Sequence, residues 1–183
     1  MAAVDRSART LAETSEEILD RRAEALALET SEEEVTDRLS LLLFRIGEEW
    51  YAVRVSDVRE IFQEYELTQI PCVPDYILGV VNVRGEILSV TDTARIMGLG
   101  SIETSEGVDP PAIVVANDEI VTALVVDEIG DIAEVANTSI EPPISIIDRS
   151  QAEFVSGSVY IDGSMVGLIS IARMLAPVVV GRH

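Results

Sequence analysis

The feature that most constrains this chain is that its pattern occurs twice. Residues 44–61 align with 115–132 at a constant offset of 71, and residues 76–97 align with 154–175 at an offset of 78. In the first block Glu48, Ala52, Val55 and Ile61 fall on Glu119, Ala123, Val126 and Ile132. In the second block Gly79, Val81, Gly85, Ala94 and Arg95 fall on Gly157, Val159, Gly163, Ala172 and Arg173. These are nine identities over forty aligned positions, and the order of apolar, turn and capping positions agrees as well. The middle connection of the second copy is seven residues longer and contains Pro142 and Pro143. Such self-similarity marks a tandem duplication of one supersecondary unit.

Within each copy the periodicity is that of short strands. Leu41, Leu43, Arg45, Trp50, Ala52 and Arg54 set one parity of a hairpin, and Leu42, Phe44, Ile46, Tyr51, Val53 and Val55 set the other. Gly47-Glu48-Glu49 supplies the turn. Ser56 is placed to cap a short helical turn through Val58, Ile61 and Phe62, with Glu60 at its end. Gly79 to Val83, Arg84-Gly85 and Ile87 to Thr91 predict a second hairpin. Asp92 is placed to cap a short helix through Ile96 and Met97, and Gly98 to Asp109 reads as a loop. Four to five short strands per copy with little helix predict a small closed barrel, which leaves no sheet edge exposed. Two such barrels side by side also make a cleft, and clefts between domains bind partners.

Residues 1–38 do not share this pattern. They hold eleven Asp or Glu against five Arg. Thr14-Ser15-Glu16-Glu17 reads as a capping box, which predicts a helix over 14–28. Its apolar face is thin, so an isolated helix would be marginal. Both a frayed tail and a docking helix remain open for this leader. The duplicated region spans 39–176, expected as two intertwined barrel subdomains of about 39–110 and 111–176, and 177–183 is a tail.

Composition excludes several classes of function. The formal net charge is −20, and all thirteen cations are arginines. Such a chain repels phosphate backbones and anionic lipid heads, which argues against nucleic acid and membrane as partners. Apolar runs such as Val121 to Val126 are too short for membrane insertion, which needs about 20 residues. No apolar signal segment follows the charged start, and the single cysteine, Cys72, has no second cysteine to pair with. A cytoplasmic location is expected.

No catalytic constellation is present. The one histidine is His183, the last residue, which removes the usual general base and histidine-based metal sites. There is no glycine-rich phosphate loop ending in lysine, because there is no lysine. Cys72, between Pro71 and Pro74, has no cation beside it in sequence and reads as a small buried hydrophobe. Carboxylate pairs such as Asp127-Glu128 are what so acidic a composition produces unaided. No enzyme activity, cofactor or metal is expected.

What remains is one polar pair. The duplication places Glu60 and Arg84 at equivalent points of one barrel, where the second copy has Asp131 and Asp162. A carboxylate and a guanidinium can pair in the first copy only. From the residues alone this is either a surface salt bridge worth about 0–1 kcal/mol or part of a partner-binding face.

The run Tyr76-Ile77-Leu78-Gly79-Val80-Val81-Asn82-Val83-Arg84-Gly85-Glu86-Ile87-Leu88-Ser89-Val90 resembles the signature of CheW domains. In that signature an apolar, glycine-containing segment ending Asn-apolar-Arg-Gly precedes a strand. Leu42 to Ile61, Ala123 to Ile132 and Phe154 to Leu175 resemble the family in the same order, so the likeness covers residues 40–176. It departs at Ser89, where the family often has Pro, at Thr93, where it often has Leu, and at Ser170, where Asp is usual.

The resemblance implies a mainly β fold of two tandem SH3-like five-stranded barrels with short helices, beside the acidic leader. It also implies a non-enzymatic adaptor that couples chemoreceptors to a histidine kinase. The implied partners are the regulatory domain of a CheA-type kinase and the cytoplasmic tip of methyl-accepting chemoreceptors, held helix-in-groove between the barrels in membrane-associated arrays. By motif match, Glu60 and Arg84 correspond to the family's functional Glu and Arg, and Val58, Gly79 and Asn82 to positions near the receptor-binding surface. Two other readings stay open. One is a CheW-like scaffold of a non-flagellar pathway that binds receptors without coupling a kinase. The other is a small-ligand module or enzyme on the same barrels.

Overall fold

The computed structural model describes residues 37–102, 109–118, 120–143 and 149–180. The leader helix expected over 14–28 and His183 lie outside the described residues.

The first copy of the repeat folds into five strands: β1 (Arg38–Ile46), β2 (Glu49–Arg54), β3 (Val58–Phe62), β4 (Ile77–Val83) and β5 (Glu86–Asp92). A short helix, α1 (Thr93–Ile96), follows. The second copy gives β6 (Ala112–Ala116), β7 (Val121–Val125), β8 (Glu128–Ala136), β9 (Val155–Ile161) and β10 (Ser164–Ile169). Helix α2 (Arg149–Ala152) precedes β9, and α3 (Ile171–Val180) follows β10. The fold is mainly β, as the resemblance implied.

Most local readings match these elements, but Cys72, read as buried, is exposed, in a turn where its φ is 61°. The β1–β2 hairpin pairs Leu42 with Val53 and Phe44 with Tyr51 across a turn at Gly47-Glu48. Asp92 caps α1, accepting from the backbone N–H of Arg95 at 3.1 Å. The segment after Ser56 differs. Residues Val55–Asp57 form a single 3-10 turn without a side-chain cap, and Val58–Phe62 is a strand paired with β6. Glu60 therefore lies within β3, not at a helix end. The spacing of Val58, Ile61 and Phe62 suits a helical face, but the backbone of Glu60, Ile61 and Phe62 finds partners in Val114, Ile113 and Ala112. Long-range pairing outweighs a one-turn helix, whose nucleation is unfavourable. At the other end α3 runs through Pro177 to Val180, so helix enters the segment read as a tail.

The strands form two five-stranded sheets, ordered β8-β1-β2-β10-β9 and β3-β6-β7-β5-β4. Replacing each strand by its counterpart in the other copy turns one order into the other. Each sheet thus combines the first hairpin of one copy with the last three strands of the other. The 3-10 turn Val55–Asp57 carries the chain across between the sheets. The registers agree too: β5 and β7 pair in parallel with Val90 opposite Ala123, and β10 and β2 with Leu168 opposite Ala52. These are equivalent positions under the two sequence offsets.

Each sheet is closed by a bridge to the connection leading into its last hairpin. Thr68 pairs with Val80, and Glu141 pairs with Ser158. Gly79 and Gly157, equivalent in the repeat, make room for this crossing. A Cβ on Gly79 would lie 2.4 Å from the Thr68 carbonyl oxygen, and one on Gly157 would lie 2.9 Å from that of Glu141. Gly79 is thus a closure residue beneath the surface.

The β1–β2 hairpin is buried on both faces, which binds the sheets together. Leu41 and Ala52 join Val159, Val166 and Leu168 in a small cluster within the first sheet. Leu42, Phe44, Ile46 and Val53 face the other way into a larger cluster with Val90, Ile113 and Leu124 of the second sheet.

Candidate functional site

The candidate residues meet where β3 passes the β4–β5 turn. That turn is Arg84-Gly85, with φ of 51° and 90°. Positive φ at both central residues is the type I′ pattern that suits the twist of a two-residue hairpin. Glycine adopts it freely, whereas a left-handed backbone at Arg84 costs about 1–2 kcal/mol. Asn82 offsets part of this, because its Oδ1 accepts from the Gly85 N–H at 2.8 Å.

The turn projects Arg84 outward, with 85% of its side chain exposed, and Nη2 lies 3.2 Å from Oε2 of the half-buried Glu60. A second, longer pair joins the same elements, with Arg59 Nη1 3.8 Å from Glu86 Oε1. Exposed pairs of this kind contribute only about 0–1 kcal/mol each. Their effect is to hold ordered charge of both signs at one end of the barrel. Two chain neighbours of these charges are exposed and apolar: Ile87, next to Glu86, is 71% exposed and Ile61, next to Glu60, is 46% exposed.

Glu60, Asn82 and Arg84 are therefore brought together. Val58 lies on the same strand as Glu60, half-buried against the core, and Gly79 is buried at the barrel closure. Neither presents a side chain with Arg84. Sequence reasoning passed over Ile61, Ile87 and Arg59 as surface components. The parity of Leu88 and Val90 pointing inward already puts Ile87 outward. The strand at Val58–Phe62 was needed to do the same for Arg59 and Ile61.

The equivalent end of the other sheet has a different character. Its turn, Asp162-Gly163, has the same left-handed φ values, 50° and 80°. Aspartate tolerates that backbone better than arginine does. Asp131 and Asp162 line a cavity of about 420 Å³ together with Trp50, Leu43 and Glu128. Gly130 stands where the first copy has Arg59, and a Cβ there would come within 2.8 Å of the Trp50 ring. Among the described residues, no group of three or more His, Cys, Asp or Glu is arranged to hold a metal.

Two tyrosines have raised pKa values. Tyr51 is pushed well above the usual range by burial and then by the adjacent Glu49 carboxylate, to which its hydroxyl donates. Tyr65 is pushed up to about 12 by burial and the charge of Asp109. Its hydroxyl donates to the Pro110 carbonyl at 3.0 Å.

The CheW-like domain family matches residues 40–178. The chain belongs to the CheW family. A chemotaxis protein CheW from Rhizobium meliloti (strain 1021) is 32% identical over 131 residues, covering 72% of this chain and 83% of that protein. Protein PilI of Pseudomonas aeruginosa is 29% identical, over 61% of this chain and 62% of its own length. The crystal structure of the scaffolding protein TtCheW from Thermoanaerobacter tengcongensis superposes with a TM-score of 0.66. It is 29% identical and covers 75% of this chain and 92% of its own. The CheW family comprises chemotaxis scaffolds and not enzymes. Among the described residues, no helix is long and apolar enough to cross a membrane.

Proposed function

We propose that this CheW-family scaffold binds two partners at once, the cytoplasmic tip of a methyl-accepting chemoreceptor and the regulatory domain of a CheA-type histidine kinase. Its place would be the cytoplasm, at membrane-associated receptor arrays. The face at Glu60, Asn82 and Arg84 would carry the receptor contact, with Val58 and Gly79 as its support. The observation that carries this reading is the pinned Arg84. A bulky cationic residue is held at φ 51° by Asn82 and Glu60, and is left almost wholly exposed beside Ile61 and Ile87. Strained backbone of this kind concentrates at functional sites. Ordered charge around an apolar centre is also the make-up of a protein-binding surface.

The test is a pull-down of the purified chain with a CheA regulatory domain and a receptor signalling hairpin from the same genome. Wild type should retain both. Arg84→Glu should retain its fold and bind receptor at least tenfold more weakly, because the substitution adds a third carboxylate beside Glu60 and Glu86. Normal receptor binding by this variant would refute the site. Capture of the receptor alone would favour the second reading, a scaffold of a non-flagellar pathway that does not couple a kinase. The likeness to PilI bears on the non-flagellar pathway alone and not on the absence of kinase coupling.

A further inference from the structure

The charge of the barrels is mostly of one sign. Residues 39–183 carry twenty-two Asp or Glu against eight Arg, so the excess is not confined to the leader. Of the described carboxylates Asp92 alone is buried, and it accepts from the Ser101 hydroxyl and from the backbone N–H groups of Arg95 and Ile102. Among the described residues the ion pairs are Arg45–Glu128, Arg59–Glu86, Arg84–Glu60 and Arg95–Asp92. The exposed Glu48, Glu64, Glu66, Asp75, Glu134 and Glu153 take part in none of them. The two equivalent edge strands show the contrast. Strand β3 carries Arg59 beside Glu60, and each has an oppositely charged partner. Its counterpart β8 carries Glu128, Asp131 and Glu134 and no cation. Glu128 and Asp131 also share a cavity with Asp162. Behind β8, the apolar cluster within the first sheet has five buried side chains, against twenty-five in the larger cluster.

We propose that the folded state depends on concentrated monovalent salt, and that the first sheet opens at β8 when the salt is diluted. Like charges at this density repel one another, which opposes the compact state. Salt sets the reach of the repulsion, about 10 Å at 0.1 M and about 3 Å at 1 M. Neighbouring strands lie about 5 Å apart. The longer reach therefore couples carboxylates across adjacent strands, and the shorter one does not. At β8 two conditions coincide. Three carboxylates have only Arg45 to offset them, and the apolar cluster behind them is the smaller one. Strand β3 responds in the opposite sense, because its ion pairs strengthen as screening falls. The choice of cation suits the same medium. Salt screens the point charge of an ammonium, whereas a guanidinium also offers a hydrogen-bonding fork. The thirteen cations include no lysine, and Arg45 Nε donates to Glu128 Oε2 at 3.0 Å.

The experiment is thermal unfolding of the full chain at neutral pH, followed by circular dichroism in potassium chloride from about 0.05 M to about 2 M. The melting temperature should rise by about 15 °C or more across this range. A variant combining Glu48→Gln, Glu64→Gln, Glu66→Gln, Asp75→Asn, Glu134→Gln and Glu153→Gln removes charge with little change of shape. It should melt above the wild type in dilute salt and lose at least half of the rise. Hydrogen exchange locates the opening. Dilution of the salt should speed exchange of the β8 amides about tenfold or more relative to those of β3. A flat melting temperature overturns the proposal. So does an undiminished rise in the variant, which would make the salt effect one of solvent and not of charge. Equal acceleration in β3 and β8 overturns the placement of the opening.

Discussion

The two ends of the duplicated fold share a backbone and differ in charge. Both turns are two residues long, left-handed, and followed by a strand that pairs in parallel with a strand from the opposite copy. At one end Arg84 reaches Glu60 and Arg59 approaches Glu86. At the other, Asp162 and Asp131 line a cavity, and Gly130 lets Trp50 pack where an arginine stands in the first copy. Duplication fixed the scaffold twice, and side-chain divergence then gave each end its own chemistry. What is common to both copies serves closure and register, and what differs sets the charge of each end.

Several experiments would break or sharpen this comparison. The largest stability effect should come from the closure glycines. Gly79→Ala forces a Cβ against a backbone oxygen at 2.4 Å, whereas in Gly157→Ala the Glu141 backbone oxygen stands farther off, at 2.9 Å, and the Ile140 methyl, at 2.8 Å, can yield in part. Gly79→Ala should therefore cost about 3 kcal/mol, with Gly157→Ala costing less. Urea unfolding measures both, and equal costs would show that the two crossings are not strained as described.

A pH effect comes next. The folded-state pKa of Tyr65 is raised to about 12, above its unfolded value. The folded state holds this proton more tightly, so the stability it contributes is complete below about pH 10 and is lost as pH rises towards 12. Tyr51 acts in the same direction. Unfolding free energy should fall with pH in this window, and Tyr65→Phe should flatten the fall. An unchanged slope would contradict the burial assigned to Tyr65.

The smallest stability effects should come from the charges themselves. Arg84→Asp gives the first turn the residue of the second, relieving backbone strain while removing an exposed pair. The net change should stay within about 1 kcal/mol, although receptor binding falls. A loss of more than about 2 kcal/mol would make Arg84 a structural residue. Deletion of residues 1–36 should leave the melting temperature unchanged, since every described strand begins at Arg38 or later. A large fall would mean that the leader packs on the barrels.

Much of the first end was legible in the sequence. The Asn82-Val83-Arg84-Gly85 turn, its flanking strands and the Asp92 cap all rest on contacts within a few residues. The offset between the copies also singled out Glu60 and Arg84 as the pair that the second copy lacks. The strand at β3 was not legible, because five residues with apolar side chains at 58, 61 and 62 fit a helical turn as well as an edge of a sheet. Only the partner strand β6 decides between them.

The sequence by itself determined the duplication, the strand alternation, the turns and the lack of catalytic groups, because each follows from local spacing or composition. Tertiary structure decided that the copies exchange halves. The alternation within β1 and β2 would be satisfied by pairing with strands of either copy. The single turn at Val55–Asp57 is too short to bring the chain back beside its own hairpin, so β3 crosses to the other sheet and β8 takes its place. Which strand lies beside which is a long-range choice, and it is that choice that puts Glu60 and Arg84 in one sheet and Asp131 and Asp162 in the other.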